Sequence, residues 1–284
     1  VPEGDASFEV HLGSLSLRVL DLPTAYEPFV HEHYEPFCRP LAGTELEGAA
    51  LRCRQGEGVI IPFPEEGGVT QLDIEREAKR VLVRSHFVDA ALDLETGEGR
   101  LELTDRTWDR FSHSLENVLR VVAQARALGQ EQCFIHAAAV LDAGRAVLLA
   151  APSGVGKSTA VGLSLPRQVL TDDLALVDAS GAGPELVSTP FHPAEPPESR
   201  QRGRWPIAAV LRLRQSPDDR LERLSPAKAA ASLGALLPYA ADLGVGAEVI
   251  TPLIAKIVGS VPVYDAHFTR SPRFWDLLAT EQKL

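Results

Sequence analysis

The chain has 284 residues, of which 45% are hydrophobic and 24% charged, and its formal net charge is −11. This length indicates roughly two domains, and the hydrophobic share is ample for buried cores. The acidic balance argues against nucleic acid or a membrane as a partner, because nucleic acids and anionic membrane surfaces attract proteins mainly through positive charge.

The cysteines and the apolar stretches indicate the cellular compartment. Cys38, Cys53 and Cys133 form no Cys-x-x-Cys pattern, so neither a disulfide framework nor a zinc ribbon is predicted. The most apolar stretch, 137–151, contains two charged residues and is too short to span a bilayer. The N-terminus shows no signal-peptide pattern. We therefore expect a cytoplasmic protein with reduced thiols.

Residues 1–105 are predicted to form a β-rich N-terminal domain that contacts the substrate or other subunits. Alternating polarity or short apolar runs predict strands at 8–12, 15–19, 59–61, 80–91 and 99–103. Pro62 and Pro64 should end the third of these runs. Residues 95–98, Glu-Thr-Gly-Glu, should form a turn before the last run.

Residues 106–130 change to a helical pattern. Apolar side chains recur at i, i+3, i+4 and i+7 between Trp108 and Ala125, and Gly129 provides a C-terminal stop. We predict a helix that bridges the N-terminal domain and a third segment, 131–284.

The third segment is predicted to be α/β with a mixed sheet. The strands 133–141 and 146–150 are joined by a tight turn, so they must pair antiparallel. Further helices are predicted at 158–165, 225–237 and 271–278, further strands at 167–170, 174–177 and 207–213, and a long loop at 181–203. The pattern leaves 251–261 open between helix and strand. Arg200, Arg202 and Arg204 lie at the end of this loop and could cover phosphates, although a solvated loop face explains them at least as well.

A Gly-rich loop follows the second strand of this hairpin. Residues 151–158, Ala-Pro-Ser-Gly-Val-Gly-Lys-Ser, match the P-loop (Walker A) pattern G-x-x-x-x-G-K-[ST] except at the first position. Backbone N–H groups of such a loop point at phosphate oxygens, Lys157 reaches the β- and γ-phosphates, and the Ser158 hydroxyl ligates Mg²⁺. The residues predicted to bind ATP, or another nucleoside triphosphate, are Ser153, Gly154, Val155, Gly156, Lys157, Ser158 and Thr159.

Two adjacent acids, Asp172 and Asp173, follow the next predicted strand. One carboxylate there can hold Mg²⁺ together with Ser158, while the other takes a proton from a substrate hydroxyl. The pattern does not say which acid has which role, and a polar strand end is the structural alternative. His136, on the first strand of the hairpin, is surrounded by apolar residues, and a histidine in such a position is by itself more often a core residue than a functional one.

The order of these motifs resembles the HPr kinase/phosphorylase family, and more closely the shorter HPr-kinase-related serine kinases. It consists of Ile-His-Ala-Ala-Ala at 135–139, a hairpin, the P-loop, and Leu-Thr-Asp-Asp at 170–173. The resemblance implies a P-loop kinase core of the HPr-kinase C-terminal type, related to phosphoenolpyruvate carboxykinase. It also implies ATP- and Mg²⁺-dependent phosphorylation of a serine hydroxyl, with His136, Lys157 and the acid pair as catalytic residues. The first loop glycine is replaced by Ala151, and the glycine-rich stretch linked to phosphorylase activity is absent.

Other functions remain open at this level. An ABC-type ATPase should carry an LSGGQ-like signature, which does not occur, and a guanylate-kinase-like enzyme would have its loop near the N-terminus. A nucleotide-binding regulatory or scaffolding module without transfer activity is the main rival. We predict a serine hydroxyl of a peptide or small protein as the acceptor, with a metabolite such as free serine as the alternative. The donor could be ATP, GTP or pyrophosphate, and a homo-oligomer is possible.

Overall fold

The chain divides into two compact units. The computed structural model describes residues 5–41, 48–63, 72–104, 108–152, 154–191 and 201–281. Unit 1 consists of the described residues up to Ala127 together with Tyr239–Val245, and unit 2 contains the other described residues. No helix among the described residues is long and apolar enough to cross a membrane.

Unit 1 is built on an eight-stranded mixed sheet. Its strands are β1 (Asp5–Leu12), β2 (Leu15–Pro23), β3 (Cys38–Pro40), β4 (Ala49–Gln55), β5 (Asp73–Glu77), β6 (Arg80–Arg84), β7 (Val88–Asp93) and β8 (Glu98–Leu103). Their spatial order is β3-β1-β2-β4-β8-β7-β6-β5. The pairs β2–β4 and β4–β8 are parallel, and the others are antiparallel.

Two helices accompany this sheet, α1 (Glu27–Tyr34) and α2 (Trp108–Leu128). A helix is present at the predicted position as α2, and its apolar stripe is buried at Leu115, Val118 and Val122. Helix α1 was not predicted from the sequence, because its eight residues bury only Val30 and Tyr34 and give too short a pattern to recognise.

Two strand predictions in unit 1 are wrong. Residues 59–61 form no strand, because Pro62 cannot donate to a ladder and the segment contacts His86 instead of a neighbouring strand, through Ile60 N to His86 O (2.8 Å) and His86 Nδ1 to Ile61 O (2.8 Å). The predicted strand 80–91 is two strands, β6 and β7, which are joined by a tight connection closed by Ser85 N and Val88 O at 2.9 Å. The three residues between them, Ser85, His86 and Phe87, include no Gly, Pro, Asn or Asp to mark the turn in the sequence.

Unit 2 is α/β and contains a second mixed sheet. Its strands are β9 (Gln132–Asp142), β10 (Arg145–Ala150), β11 (Val169–Thr171), β12 (Leu174–Asp178), β13 (Glu185–Val187), β14 (Arg204–Gln215), β15 (Arg220–Arg223) and β16 (Val263–Phe268). The main order is β10-β9-β12-β13-β14-β16-β15, and β11 also pairs with β9. Because β10 pairs with β14 as well, the strands β9, β10, β14, β13 and β12 form a closed ring.

The predicted hairpin is confirmed, since β9 and β10 pair antiparallel from Arg145↔Asp142 to Ala150↔Ala137. The pairs β10–β14 and β14–β16 are parallel. Strands β9, β10 and β12 are apolar over nearly their whole length, and both of their faces are buried, as expected for strands covered on two sides.

The helices of unit 2 are α3 (Lys157–Gly162), α4 (Pro226–Gly234), α5 (Ala247–Ser260) and α6 (Arg273–Glu281). Helix α3 begins one residue before its predicted start and ends three residues before its predicted end. The open segment 251–261 proves to be helical. The predicted loop 181–203 contains strand β13, which pairs with both β12 and β14, while residues 192–200 lie outside the described residues.

Helix α3 is fixed by the turn that follows it. Ser164 Oγ donates to Ala160 O (2.7 Å) and accepts from Trp275 Nε1 of α6 (3.1 Å). The guanidinium group of Arg167 lies 4.2 Å from the centre of a Trp275 ring. Ala160 and Trp275 also belong to the buried core on this side of the sheet, so α3 and the loop before it are held against a packed layer.

Candidate functional site

The residues predicted for catalysis lie along one edge of the sheet in unit 2. The register of the strands pairs Leu174 of β12 with His136 of β9. It also pairs Ala137 with Ala150, the last residue of β10. The Gly-rich loop, the acid pair and the histidine therefore meet at neighbouring strand ends, although up to 37 residues of sequence separate them.

The Gly-rich loop has a conformation that requires its glycines. Gly154 and Gly156 have φ values of +82° and +102°, in the left-handed region. A Cβ on Gly156 would also lie 3.3 Å from Phe268 Cζ. Ala151, which replaces the first glycine of the pattern, is fully buried and does not have a positive φ, so its backbone does not require glycine.

The remaining loop positions are less enclosed. Ser153 was predicted to bind the nucleotide and lies outside the described residues. Val155 is half-buried, and its carbonyl accepts from Gln215 Nε2 at 3.3 Å. Ser158 and Thr159 are exposed on the first turn of α3, so their hydroxyl groups are accessible from solvent.

The central feature of the site is a cluster of three side chains from three elements, His136, Lys157 and Asp173. Lys157 Nζ donates to Asp173 Oδ1 at 2.7 Å and lies 3.0 Å from His136 Nε2. His136 Nδ1 lies 3.3 Å from the same carboxylate oxygen. Lys157 keeps 12% of its side-chain exposure, so its charge is largely withdrawn from water and compensated by the carboxylate.

The contacts of His136 indicate a neutral imidazole. The Nε2 atom faces the ammonium group of Lys157 and must accept a hydrogen bond from it. The proton of the neutral ring is therefore on Nδ1, which faces Asp173. Burial is the largest influence and, with the charge of Lys157, holds the pKa of His136 below its usual 6.5, whereas the charge of Asp173 acts in the opposite direction. Near neutral pH the histidine is therefore uncharged.

The acid pair forms the whole connection between β11 and β12. Thr171, the last residue of β11, donates from Oγ1 to Leu174 O at 3.1 Å and closes this turn. Asp172 and Asp173 are both half-buried, but the recorded contacts to Lys157 and His136 are made by Asp173. The structure thus distinguishes two acids that are equivalent in the sequence pattern.

The oxygen groups at the loop suit Mg²⁺. No group of three or more His, Cys, Asp or Glu side chains that could hold a metal ion occurs in the part of the chain that the structure describes. Mg²⁺ needs no such group when it is bound by one or two protein oxygens together with phosphates and water. Ser158 and Asp172 offer hard oxygen donors of this kind, while the Asp173 carboxylate is already shared by Lys157 and His136.

Two cavities of unit 2 border the loop and were not predicted. One has a volume of about 740 Å³ and is lined in part by His136, Pro152 and Val155. The other has a volume of about 200 Å³ and is lined in part by Gly156 and Thr159. Their remaining walls come from β14, α4 and the segments after α4 and β16, which carry no motif that could have marked them in the sequence.

Arg204, the last member of the arginine cluster, is not a phosphate-binding group. This residue donates to Asp178 at 2.5 Å and to Glu185 at 2.8 Å. Asp178 is 3% exposed, and its pKa is lowered by hydrogen bonds from Ser180 and Arg204 that outweigh its burial. Arg204 therefore neutralises a buried carboxylate, and Arg200 lies outside the described residues.

The fold and the site define an α/β protein with a Gly-rich loop, preceded by a hairpin, next to a His–Lys–Asp cluster. A family model described as SynChlorMet cassette protein ScmC matches residues 102–280, more than half of the chain. The chain belongs to this family. The matching model is described by this name and not as an HPr kinase, the family that the motif order resembles.

The comparisons with curated proteins and with solved structures do not indicate a function for the chain. A search of the curated proteins found no match. Among solved structures, the chain is similar to the Hpr(Ser) kinase/phosphatase from Coxiella burnetii, with 11% sequence identity and a TM-score of 0.30 over 53% of this chain and 95% of that chain. A likeness this distant carries no argument about the function of the chain.

The geometry of the His–Lys–Asp cluster predicts how the pKa of His136 changes when either charged neighbour is removed. Lys157→Met should raise the pKa of His136, because it removes a neighbouring positive charge, and Asp173→Asn should lower it, because it removes the charge that favours the imidazolium form. NMR titration of the His136 Cε1–H signal measures both shifts. The signals of the other histidines serve as the control, and shifts of the same sign in both variants would contradict the assigned geometry.

Proposed function

We propose that the chain is an ATP- and Mg²⁺-dependent kinase that transfers the γ-phosphate to a serine hydroxyl of a peptide or small protein. The observation that carries this proposal is the position of Lys157 Nζ, 2.7 Å from Asp173 Oδ1 and 3.0 Å from His136 Nε2. The ammonium group of Lys157 therefore belongs to the proposed phosphate-binding loop and also contacts two proton acceptors, Asp173 and His136. The family description names a cassette protein and no reaction, so the proposal rests on this geometry.

The shared ammonium group links phosphate binding to base activation. A triphosphate bound by the loop presents oxygens that compete for Lys157 Nζ, because charge-assisted hydrogen bonds to phosphate are strong. As Lys157 turns to the phosphates, His136 Nε2 and Asp173 Oδ1 each lose a donor. Both groups then become available as acceptors beside the phosphate that is to be transferred.

Asp173 is proposed as the proton acceptor and His136 as the group that positions it. The serine oxygen attacks the γ-phosphorus, the bond from that phosphorus to the β–γ bridging oxygen breaks, and the hydroxyl proton passes to the Asp173 carboxylate. The Nδ1–H of His136 holds this carboxylate in place at 3.3 Å. Ser158 and Asp172 would hold Mg²⁺, which supplies charge neutralisation at the phosphate oxygens.

A cytoplasmic location is also part of the proposal. Cys38, Cys53 and Cys133 form no disulfide bond with one another, and burial raises the pKa of Cys133 to about 12, which keeps that thiol unreactive. Cysteines outside disulfide bonds are typical of proteins in a reducing compartment.

The first test of this function is the removal of Lys157. Lys157→Ala should abolish transfer to a pool of serine peptides and weaken ATP binding at least about tenfold, because a charge-assisted hydrogen bond contributes roughly 1.5–3 kcal/mol. The measurements are γ-phosphate incorporation and calorimetric titration with ATP. Lys228→Ala, which removes an exposed lysine on α4, is the matched control. A wild-type protein that binds ATP but phosphorylates no hydroxyl acceptor would favour the scaffolding function.

The second test separates the two acids. Asp172→Asn should lower turnover in a way that raised Mg²⁺ concentration partly restores, because the change weakens affinity for the ion. Asp173→Asn should lower turnover by at least about 100-fold with no such rescue, because an amide cannot accept the proton. The Mg²⁺ dependence of kcat in the two variants distinguishes the roles. Rescue of Asp173→Asn instead of Asp172→Asn would reverse the assignment, and near-normal rates in both would show that the acids are structural.

A further inference from the structure

The two cavities beside the loop differ in their position relative to the reacting end of a bound triphosphate. Lys157 Nζ marks the γ-phosphate end of a P-loop, and His136 lies 3.0 Å from it. The larger cavity includes His136 in its wall, whereas the smaller one includes Gly156 and Thr159 but not His136. Gln215 lines both cavities, so they are neighbours.

Of these two cavities, the larger one is suited to hold an acceptor. The acceptor hydroxyl has to reach the γ-phosphorus with a proton acceptor within hydrogen-bond distance, which requires a position beside His136 and Asp173. The cavity volume of about 740 Å³ lies within the about 300–1,000 Å³ typical of ligand sites. The smaller cavity, at about 200 Å³, lies below this range, and His136 is not among its lining residues.

The walls of the larger cavity combine apolar surface with positive charge. The apolar part consists of Val155, Leu213, Ala235, Leu236, Leu237 and Pro238. The backbone of this part is tied to the site, because His136 N donates to Leu236 O at 2.8 Å. An aliphatic side chain next to the acceptor hydroxyl would lose its contact with water here.

The charged part of the wall is an arginine pair on β14. Arg212 makes a two-point ion pair with Asp265, at 2.6 Å for the Nη2–Oδ2 contact, and it also donates to Ser232. Arg214 contacts the same carboxylate, with Nε 3.1 Å from Asp265 Oδ1, and keeps 46% of its side-chain exposure. Two guanidinium groups share one carboxylate, so the wall retains one surplus positive charge, and Arg214 is the exposed member that can meet an acidic group.

We propose that this cavity, which we call the acceptor cavity, binds an extended peptide segment. The segment carries an aliphatic residue next to the phosphorylated serine and an acidic residue that pairs with Arg214. The inference rests on the proposed kinase function and goes beyond it, because it specifies the acceptor sequence. The apolar wall selects the aliphatic side chain, and the surplus charge selects the acidic one.

Two variants change these features separately. Ala235 is exposed, lines the cavity and has ordinary helical φ and ψ values, so Ala235→Phe fills the apolar part without backbone strain. Ala231→Phe is the matched control, an exposed alanine one turn earlier on α4 that does not line the cavity. Arg214→Gln removes the exposed charge, and Arg223→Gln on β15 removes an exposed arginine elsewhere.

The experiment is phosphorylation of a degenerate peptide library with one fixed serine, followed by sequencing of the phosphorylated pool. The full-length wild-type chain should favour Leu, Ile, Val or Met next to the serine, with kcat/KM at least about tenfold above that for Ala at the same position. It should also enrich Asp or Glu at a nearby position. Ala235→Phe should lose the first preference and Arg214→Gln the second, while the two controls retain both.

Other outcomes overturn the inference while leaving the kinase function intact. A phosphorylated pool without these preferences, or unchanged preferences in Ala235→Phe and Arg214→Gln, would show that the cavity does not read the acceptor. Loss of ATP affinity in Ala235→Phe would show that the cavity holds the nucleoside.

Failure of the kinase function can be recognised separately. If the wild type binds ATP but phosphorylates no peptide, the same library is passed over immobilised protein with a non-hydrolysable ATP analogue and Mg²⁺. Retention of aliphatic and acidic sequences by the wild type, but not by Ala235→Phe or Arg214→Gln, would support the cavity as a peptide site without transfer. Retention of no defined sequence would contradict it.

Discussion

The ammonium group of Lys157 is held between a carboxylate and a neutral imidazole, and the rest of the site depends on this interaction. A lysine with 12% side-chain exposure needs compensating partners, because a largely buried charge without a partner is strongly destabilising. Asp173 supplies the charge and His136 a further acceptor. Three separate elements of unit 2 must therefore be placed to within a fraction of an ångström for the loop to be stable in this conformation.

The sheet provides that placement. Strand β9 lies between the hairpin partner that leads into the loop and the two short strands that carry the acid turn. Because side chains alternate between the two faces of a strand, a shift of one residue in the pairing of β9 with β12 would move His136 to the opposite face, away from Lys157 and Asp173. Helix α3 is only six residues long, so its position depends on contacts with α6 and the core rather than on intrinsic helix stability.

The features that could be predicted from the sequence are those whose signal lies within a few neighbouring residues. The hairpin, the Gly-rich loop and the acid pair each have signals within a few residues, and the structure places them together. The larger cavity could not be predicted, because its wall joins Val155, Arg214 and Leu236 across long sequence distances. Strand β13 lay hidden in a Pro- and Gly-rich segment, because only its pairing with β12 and β14 makes it a strand. The different surroundings of Asp172 and Asp173 depend on side-chain directions that no sequence pattern specifies.

The central claim, that a triphosphate takes Lys157 away from Asp173 and His136, is tested most directly by a crystal structure of the chain with Mg²⁺ and a non-hydrolysable ATP analogue. The account predicts that the phosphates lie against the loop of residues 151–158, with Lys157 Nζ bonded to a β- or γ-phosphate oxygen and no longer within hydrogen-bond distance of Asp173. A triphosphate bound elsewhere, or an unchanged contact between Lys157 and Asp173 in the complex, would contradict it.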